Sequence, residues 1–383
     1  MKKIMFSAGE VSGDLHASCL LKELKKLLPG VYFIGMGGEK LAAAGCDIKL
    51  DITALGSIGL FEALPRIFSL NSALSRMKSL LAKERPDLLI LVDSQGFNMP
   101  LAGFARSLGI KTCYYIPPQE WLWGTRRGVK KVIDCIDLIL AIFENEYEVY
   151  KQAGGRVLYF GHPLLDIVKP SLSKVEARKK FFGIYAEPVI SLCPGSRTQE
   201  ISALLPILSR AATLIKRALP DVRFLLPVAS SWAKEKINAS LKYVPLPIKV
   251  VEGLNYDVLN CSDLVIAASG TINLESAILG VPNIMVYKLS WLSYFVGKYI
   301  LGIDKKIKFL SMPNILLDEK IIPELIMGSA NPERIAFVAL RLLADKLSRD
   351  KMASGFGRLR SKLGAPGVIS RYASAIVDSF SLK

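Results

Sequence analysis

The stretch LVIAASGTINLE, Leu264 to Glu275, decides how this chain folds. Leu264–Ala267 is a short apolar run with Val265 and Ile266 at its centre, as in a strand buried on both faces. Small residues follow and lead straight into a helical pattern over Ile272–Leu279, which Gly280 and Pro282 close. A strand that runs directly into a helix leaves free backbone N–H groups at the positive end of the helix dipole. That suits a diphosphate over Ser269, Gly270 and Thr271. Glu275, one turn further on, could accept hydrogen bonds from ribose hydroxyls. On this stretch alone the plainer reading, a βα turn capped by Ser269 and Thr271, stays open.

Working outward, the same alternation recurs on both sides. Strands are expected at Lys3–Ser7, Val31–Ile34, Leu88–Val92, Lys111–Tyr115, Leu138–Ala141 and Val157–Tyr159, with helices at Asp14–Leu28, Leu70–Lys83 and Asn145–Ala153. A second series has strands Val189–Leu192, Arg223–Pro227, Ile248–Val251, Leu264–Ala267 and Asn283–Tyr287, and a long helix Ser202–Ala218. Such alternation means parallel, doubly wound sheets. The expected fold class is therefore α/β, with two Rossmann-like domains facing a central cleft at the carboxyl ends of their strands. The polar stretch Lys169–Lys180, after Gly161-His162-Pro163-Leu164, places the boundary. This predicts domains over 1–168 and 169–355, and a C-terminal helical segment 356–383, with helix Val368–Ser379, packing back on the first domain.

A chain of 383 residues with 51% hydrophobic and 22% charged residues can bury two cores and is not disordered. Its mean hydropathy of +0.33 hints at apolar surface or lipid contact, although buried parallel sheets raise the same number. The formal charge of +16 favours an anionic partner. No Lys/Arg run or nucleic-acid signature is present, so phosphorylated small molecules or an anionic membrane surface are expected rather than nucleic acid. The six cysteines (Cys19, Cys46, Cys113, Cys135, Cys193, Cys261) are scattered without a Cys-x-x-Cys pair, a reduced, cytosolic pattern. Met1-Lys2-Lys3 opens like a signal peptide, but Ile4–Phe6 gives way at once to Ser7-Ala8-Gly9-Glu10 and reads as a first strand.

Cys193-Pro194-Gly195-Ser196-Arg197-Thr198-Gln199-Glu200 is a second strand-to-helix loop. Arg197 can stabilise charge on a departing diphosphate, and Glu200 can orient that guanidinium or a sugar hydroxyl. The alternative for Ser196 and Thr198 is an ordinary helix cap. In the first half, Ser7-Ala8-Gly9-Glu10-Val11-Ser12-Gly13-Asp14 lacks P-loop and G-x-G-x-x-G spacing, and Glu10 points from a strand end into the expected cleft. Gly35-x-Gly37-Gly38 is a decoy for a dinucleotide site that reads better as a tight turn. Asp93-Ser94-Gln95-Gly96-Phe97-Asn98 offers a carboxylate for general-base work and an amide for a sugar, or else an Asx-type cap. Pro117-Pro118-Gln119-Glu120-Trp121-Leu122-Trp123 sets aromatic rings at another strand end, suited to sugars or acyl chains. The two histidines, His16 and His162, lack metal spacing, and no Asp-x-Asp is present, so neither a metal nor another cofactor is expected.

Together SAGEVSGD, DSQGFN, PPQEWLWG, GHPLLD, CPGSRTQE, ASGTINLE and SMPNILL, in this order, resemble the lipid-A-disaccharide synthase family of inverting glycosyltransferases with the GT-B fold. The resemblance runs nearly end to end. It implies transfer of 2,3-diacylglucosamine from UDP-2,3-diacylglucosamine to 2,3-diacylglucosamine 1-phosphate, giving a β(1→6) disaccharide and UDP. It also implies that Arg197, Ser196, Glu200, Glu275 and Ser269–Thr271 hold UDP. Glu10, Asp93 and Asn98 then face the sugars, and Asn314 is a further substrate residue. The first domain would take acceptor and lipid, the second the UDP-sugar.

Some family members carry a second acid at the position of Gly96; this chain must use another carboxylate as base, with Asp93 the first choice and Glu10 the second. Acylated substrates imply a peripheral enzyme on the cytoplasmic face of the bacterial inner membrane. Ile58–Leu81 would touch it through Phe61, Leu64, Ile67, Phe68 and Leu70; Leu289–Ile303 is similarly aromatic and basic, and for either segment a core helix is the alternative. Exchange of the C-terminal helix between copies makes a homodimer one expectation. The rival readings are an epimerase or peptidoglycan glycosyltransferase on UDP-amino sugars, and a non-catalytic membrane- or phosphoglycan-binding module. The first should not reproduce SAGEVSGD and DSQGFN together. Against the second stand intact Arg197, Glu200 and Glu275.

Overall fold

A computed structural model describes residues 2–52, 64–183, 188–195, 197–228, 231–242, 246–288 and 308–382. It divides into two units, one of Met1–Ile167 with Leu363–Lys383 and one of Val168–Lys362.

The first unit carries strands β1 (Lys3–Ala8), β2 (Tyr32–Met36), β3 (Asp47–Leu50), β4 (Leu88–Val92), β5 (Lys111–Tyr115), β6 (Leu138–Ala141) and β7 (Val157–Tyr159) in one parallel sheet, order β3-β2-β1-β4-β5-β6-β7. The second carries β8 (Val189–Cys193), β9 (Arg223–Val228), β10 (Ile248–Glu252), β11 (Leu264–Ala268), β12 (Asn283–Tyr287) and β13 (Glu324–Ile326), order β10-β9-β8-β11-β12-β13, also parallel. The central strands β4, β8 and β11 are buried along their whole length, because helices cover both faces of each sheet. Both orders reverse direction once: at the β1/β4 pair (Ile4 opposite Leu88) and at the β8/β11 pair (Ile190 opposite Leu264). In doubly wound sheets ligands bind at the carboxyl ends of the strands beside such a reversal. SAGEVSGD and DSQGFN follow β1 and β4; CPGSRTQE and ASGTINLE follow β8 and β11. Each unit thus sets one pair of motifs at its own switch point.

Two readings of the sequence change. Lys169–Lys180 itself lies in the second unit, where Ser173 and Glu176 form a capping box for helix Lys174–Phe182, whose Ala177 and Phe181 are buried. Arg178 on this helix is fully buried and donates to the Cys261 carbonyl (2.9 Å) and to Asp263 (2.7 Å). At the other end, the chain changes unit at Leu363 rather than at 356, in the last turn of helix Lys346–Leu363. The last helix, Val368–Phe380, packs on helix Val11–Leu27, and Asp166 of the GHPLLD motif accepts from the N–H groups of Gly367 (2.6 Å) and Ile369 (2.8 Å) at its start.

The second concerns the lipid-facing segment. Helix Leu64–Glu84 buries Ala73, Met77 and Leu81, and Leu70 is half-buried against the same core. Leu70 therefore packs inward, the ordinary fate of an apolar stripe on a helix. Phe61 and the side chains of Leu64, Ile67 and Phe68 lie outside what is described, as do residues 289–307. Among the described residues no helix is long and apolar enough to cross a membrane.

Candidate functional site

In the second unit, β11 ends at Ala268 and helix Thr271–Ile278 begins two residues later. Ser269 is half-buried and Gly270 and Thr271 are exposed, so the turn presents its backbone outward. A Cβ at Gly270 would meet nothing within 4 Å, which leaves room for a ligand to approach the chain closely. Asn273, fully buried, fixes the turn from behind: its side-chain amide donates to the Ala268 carbonyl (2.8 Å), and Asn283 in turn donates to Asn273.

Beside it, Gly195 adopts φ +109°, and a Cβ there would stand 2.2 Å from the Glu200 carboxylate. Only glycine lets Glu200 fold back over the loop. There Glu200 accepts the Arg197 N–H (3.3 Å) at the start of helix Thr198–Ala218. The Arg197 guanidinium is 4.0 Å from Glu200 and largely solvated, so this pair contributes little to stability, and the cation remains accessible. Tyr287, at the end of β12, was not singled out in the sequence. Its phenol is shifted upward by burial first and then by Glu200, with Arg197 opposing. Burial and then the Glu275 charge push up the Cys193 thiol. Groups from the ends of β8, β11 and β12 therefore lie within electrostatic reach of one another. Position at the carboxyl end of β12, the strand next to the switch-point strand β11, was the one signal that could have found Tyr287. Ser196 lies outside the described residues.

Asn314 is corrected. It is fully buried in helix Met312–Leu317, its amide donates to the Ile322 carbonyl (3.0 Å) and Glu324 (2.8 Å), and its oxygen accepts from Ile321 (2.8 Å) and Ile322 (2.9 Å). With two donors and two acceptor directions all used, it clamps the approach to β13 and has nothing left for a substrate.

In the first unit, Asp93 and Ser94 leave β4 in the left-handed region, at φ +52° and +49°. For residues with side chains this conformation costs on the order of 1 kcal/mol or more each, and it persists only where the surroundings over-determine it. Here they do. The Asp93 carbonyl accepts from both the Asn98 amide (2.7 Å) and the Tyr114 hydroxyl (2.7 Å). Asn98 also donates to Val92 (3.1 Å) and accepts from Ser7 (2.6 Å), tying β4 to β1. Asn98 is thus fully buried and bonded to the Asp93 carbonyl rather than turned to the open strand end, which corrects the sequence reading. The Asp93 side chain is half-buried at the carboxyl end of β4. The β1 loop packs against it, since a Cβ at Gly13 would lie 3.8 Å from the Asp93 Cβ and one at Gly9 3.2 Å from the Ser94 hydroxyl. Glu10, at the start of helix Val11–Leu27, is half-exposed on that same loop.

The Gly35–Gly38 turn is spoken for. Buried Asp14 accepts its N–H groups at Gly38 (2.7 Å), Lys40 (3.0 Å) and Leu41 (3.2 Å), which leaves no cradle for a pyrophosphate. Both histidines are buried in this unit. Desolvation, then the Lys40 charge, lowers His16 to about 4, and desolvation holds His162 well below its usual value. Buried Glu146 is shifted well upward by desolvation, against hydrogen bonds from Ile142 and Phe143. Among the described residues no three His, Cys, Asp or Glu side chains gather where they could hold a metal ion.

The architecture is shared with solved structures at low identity. The UDP-GlcNAc 2-epimerase of Neisseria meningitidis, bound to UDP-GlcNAc, matches with a TM-score of 0.65 at 12% identity, covering 100% of each chain. MurG of Acinetobacter baumannii matches at 0.57 and 16%, covering 99% of this chain and 100% of that one. These likenesses establish the GT-B fold and no more. Sequence relatives reach further. The chain is 38% identical over 382 residues to the lipid-A-disaccharide synthase of Geobacter metallireducens, covering 100% of this chain and 98% of that protein. It is 40% identical over 358 residues to that of Nitrosococcus oceani, covering 94% and 91%. A model of the lipid-A-disaccharide synthetase family matches residues 4–371, all but the two ends of the chain, and the chain belongs to that family.

Proposed function

We propose that the chain transfers 2,3-diacylglucosamine from UDP-2,3-diacylglucosamine to the 6-hydroxyl of 2,3-diacylglucosamine 1-phosphate. The observation that carries the division of labour is the pairing of motifs at both switch points, β1/β4 and β8/β11. In the second unit the N–H groups of Ser269–Thr271 take the diphosphate, Arg197 neutralises charge on departing UDP, and Glu275 accepts from the ribose. In the first unit the Asp93 carboxylate removes the proton of the 6-hydroxyl as its oxygen attacks the anomeric carbon. The bond to the UDP oxygen breaks on the opposite face, and configuration inverts. Glu10, on the neighbouring loop, is the second carboxylate of this site. The likeness in fold to a structure holding UDP-GlcNAc supports a UDP-sugar donor. The charge of +16 supports work at an anionic membrane surface, which the acylated substrates require on the cytoplasmic face of the inner membrane.

Purified protein should release UDP only when donor and acceptor are both present, and should form the β(1→6) disaccharide. UDP release without acceptor would instead indicate an epimerase or hydrolase. No release despite tight UDP binding would indicate a binding module. EDTA should leave the rate unchanged, because backbone donors and Arg197 take the place of a metal in this scheme; a large loss would defeat it.

A further inference from the structure

A pocket of ≈ 330 Å³ opens between helices Gln95–Ser107 and Arg126–Cys135, lined among others by Gln95, Gly96, Met99, Glu120, Lys131 and Val132. Gln95 and Gly96 follow Asp93 by two and three residues, so the pocket begins at the strand end that carries the base. Its carboxylate is deliberately seated. Glu120 accepts from the Gln95 amide (2.8 Å) and the Thr125 N–H (3.2 Å). A Cβ at Gly124 would stand 1.9 Å from the Glu120 carboxylate, and one at Gly128 2.3 Å. Two glycines thus make room for this one acid, whose oxygens keep further acceptor capacity for hydroxyl donors. The floor is apolar: Met99 is 4% exposed and Val132 1%. One cation lines it: Lys131, exposed on helix Arg126–Cys135 and, among the described residues, without an ion-pair partner. Arg126, Arg127 and Lys130 are exposed on the same helix. At Gly96 a Cβ would meet nothing within 4 Å, so the cavity is open there.

We propose that this pocket holds the phosphorylated sugar headgroup of the acceptor, with Gln95 and Glu120 on its hydroxyls and Lys131 on its phosphate. A polyol with one anionic group and an apolar flank answers all three linings. The volume lies near the lower end of the roughly 300–1,000 Å³ typical of small-molecule sites, enough for a headgroup but not for two acyl chains, which must leave through the mouth. The inference deepens the functional reading above and rests on it.

The test splits the two substrates, using the full chain and the variants Gly96→Leu, Lys131→Glu and Glu120→Gln. Gly96 and Lys131 are exposed helix positions, so the first two variants should fold. Each variant should raise the acceptor KM about 10- to 100-fold, the scale of a lost charge-assisted contact, while donor KM and UDP affinity stay within about twofold. Removing the acceptor's phosphate should weaken wild type strongly and Lys131→Glu hardly at all. A rise in donor KM instead, an unchanged acceptor KM, or equal sensitivity of both proteins to the phosphate would overturn the proposal. Should wild type form no disaccharide, the functional reading falls, and direct titration with glucosamine 1-phosphate still decides the pocket. Binding lost in Gly96→Leu and Lys131→Glu supports it, and binding unchanged sinks it.

Discussion

The turn after β4 in the first unit and the turn after β11 in the second solve one geometric problem with opposite chemistry. Each joins a buried central strand to a helix at a switch point, and each is held by a buried asparagine whose amide donates five residues back: Asn98 to the Asp93 carbonyl at 2.7 Å, Asn273 to the Ala268 carbonyl at 2.8 Å. The β4 turn is made of Asp93 and Ser94 in left-handed backbone, so it presents a carboxylate on a strained frame. The β11 turn is made of Ser269 and Gly270, so it presents no carboxylate and leaves open space at Gly270. In the proposed mechanism one fold thus supplies a reacting group in one unit and a passive anion cradle in the other, and the difference lies in two residues after each strand.

The largest effect expected from breaking this contrast is on turnover. Asp93→Asn keeps a residue that tolerates left-handed backbone, so the fold should hold. The rate should still drop about 10²- to 10⁴-fold, with UDP affinity nearly constant. An undiminished rate would remove Asp93 as base and move the role to Glu10. Next come the two clamps. Asn98→Ala and Asn273→Ala each leave a buried strand-end carbonyl short of a partner and should cost about 1–3 kcal/mol in denaturant unfolding. Asn98→Ala should also lower kcat more than it raises the donor KM, and Asn273→Ala the reverse. Matching kinetic profiles would mean that the two turns do not divide the labour.

The smallest effect distinguishes the units by pH. Both histidines lie in the first unit. With His16 at about 4 when folded, the unfolded chain binds the extra proton between about pH 6.5 and 4, so stability falls as pH drops through that window. From pH 7.5 to 5 the loss from His16 alone is on the order of 2 kcal/mol. His162 acts in the same direction. Glu146 acts in the opposite one, since a carboxyl held protonated when folded loses stability as pH rises past its ordinary range. His16→Gln should flatten the acid limb measured from denaturant midpoints; a limb as steep as wild type would remove His16 as its source.

Much of this was legible beforehand. The strands β4, β8 and β11 announced themselves because burial on both faces demands unbroken apolar runs, and Arg197, Glu275 and Asp93 stood out as charged residues just past such runs. The short edge strands β3 and β13 escaped notice. Asp47–Leu50 and Glu324–Ile326 are only partly buried, so no apolar run marks them. Asn98 and Asn314 misled for a different reason: an amide in a short motif can face a ligand or a carbonyl, and the residue type is the same in both cases. Glu120 was passed over beside its tryptophans, because the glycines that seat it, Gly124 and Gly128, come after it, one in a loop and one inside a helix, with no sequence mark of that role.

What the sequence determined by itself is the local order of strand, small-residue turn and helix, repeated in two halves, together with the family those motifs spell out. Hydrophobic periodicity and turn chemistry act between near neighbours, and near neighbours are what a sequence displays. Only the tertiary structure decided which strands stand side by side where the winding reverses. It also decided which polar side chains are consumed in holding the turns, as Asp14, Asn98, Asn273 and Asn314 are, and which remain open, as at Gly270 and around Glu120. A hydrogen-bonding group has a fixed number of donors and acceptors, and whether they are spent inside the fold depends on residues far away in the chain.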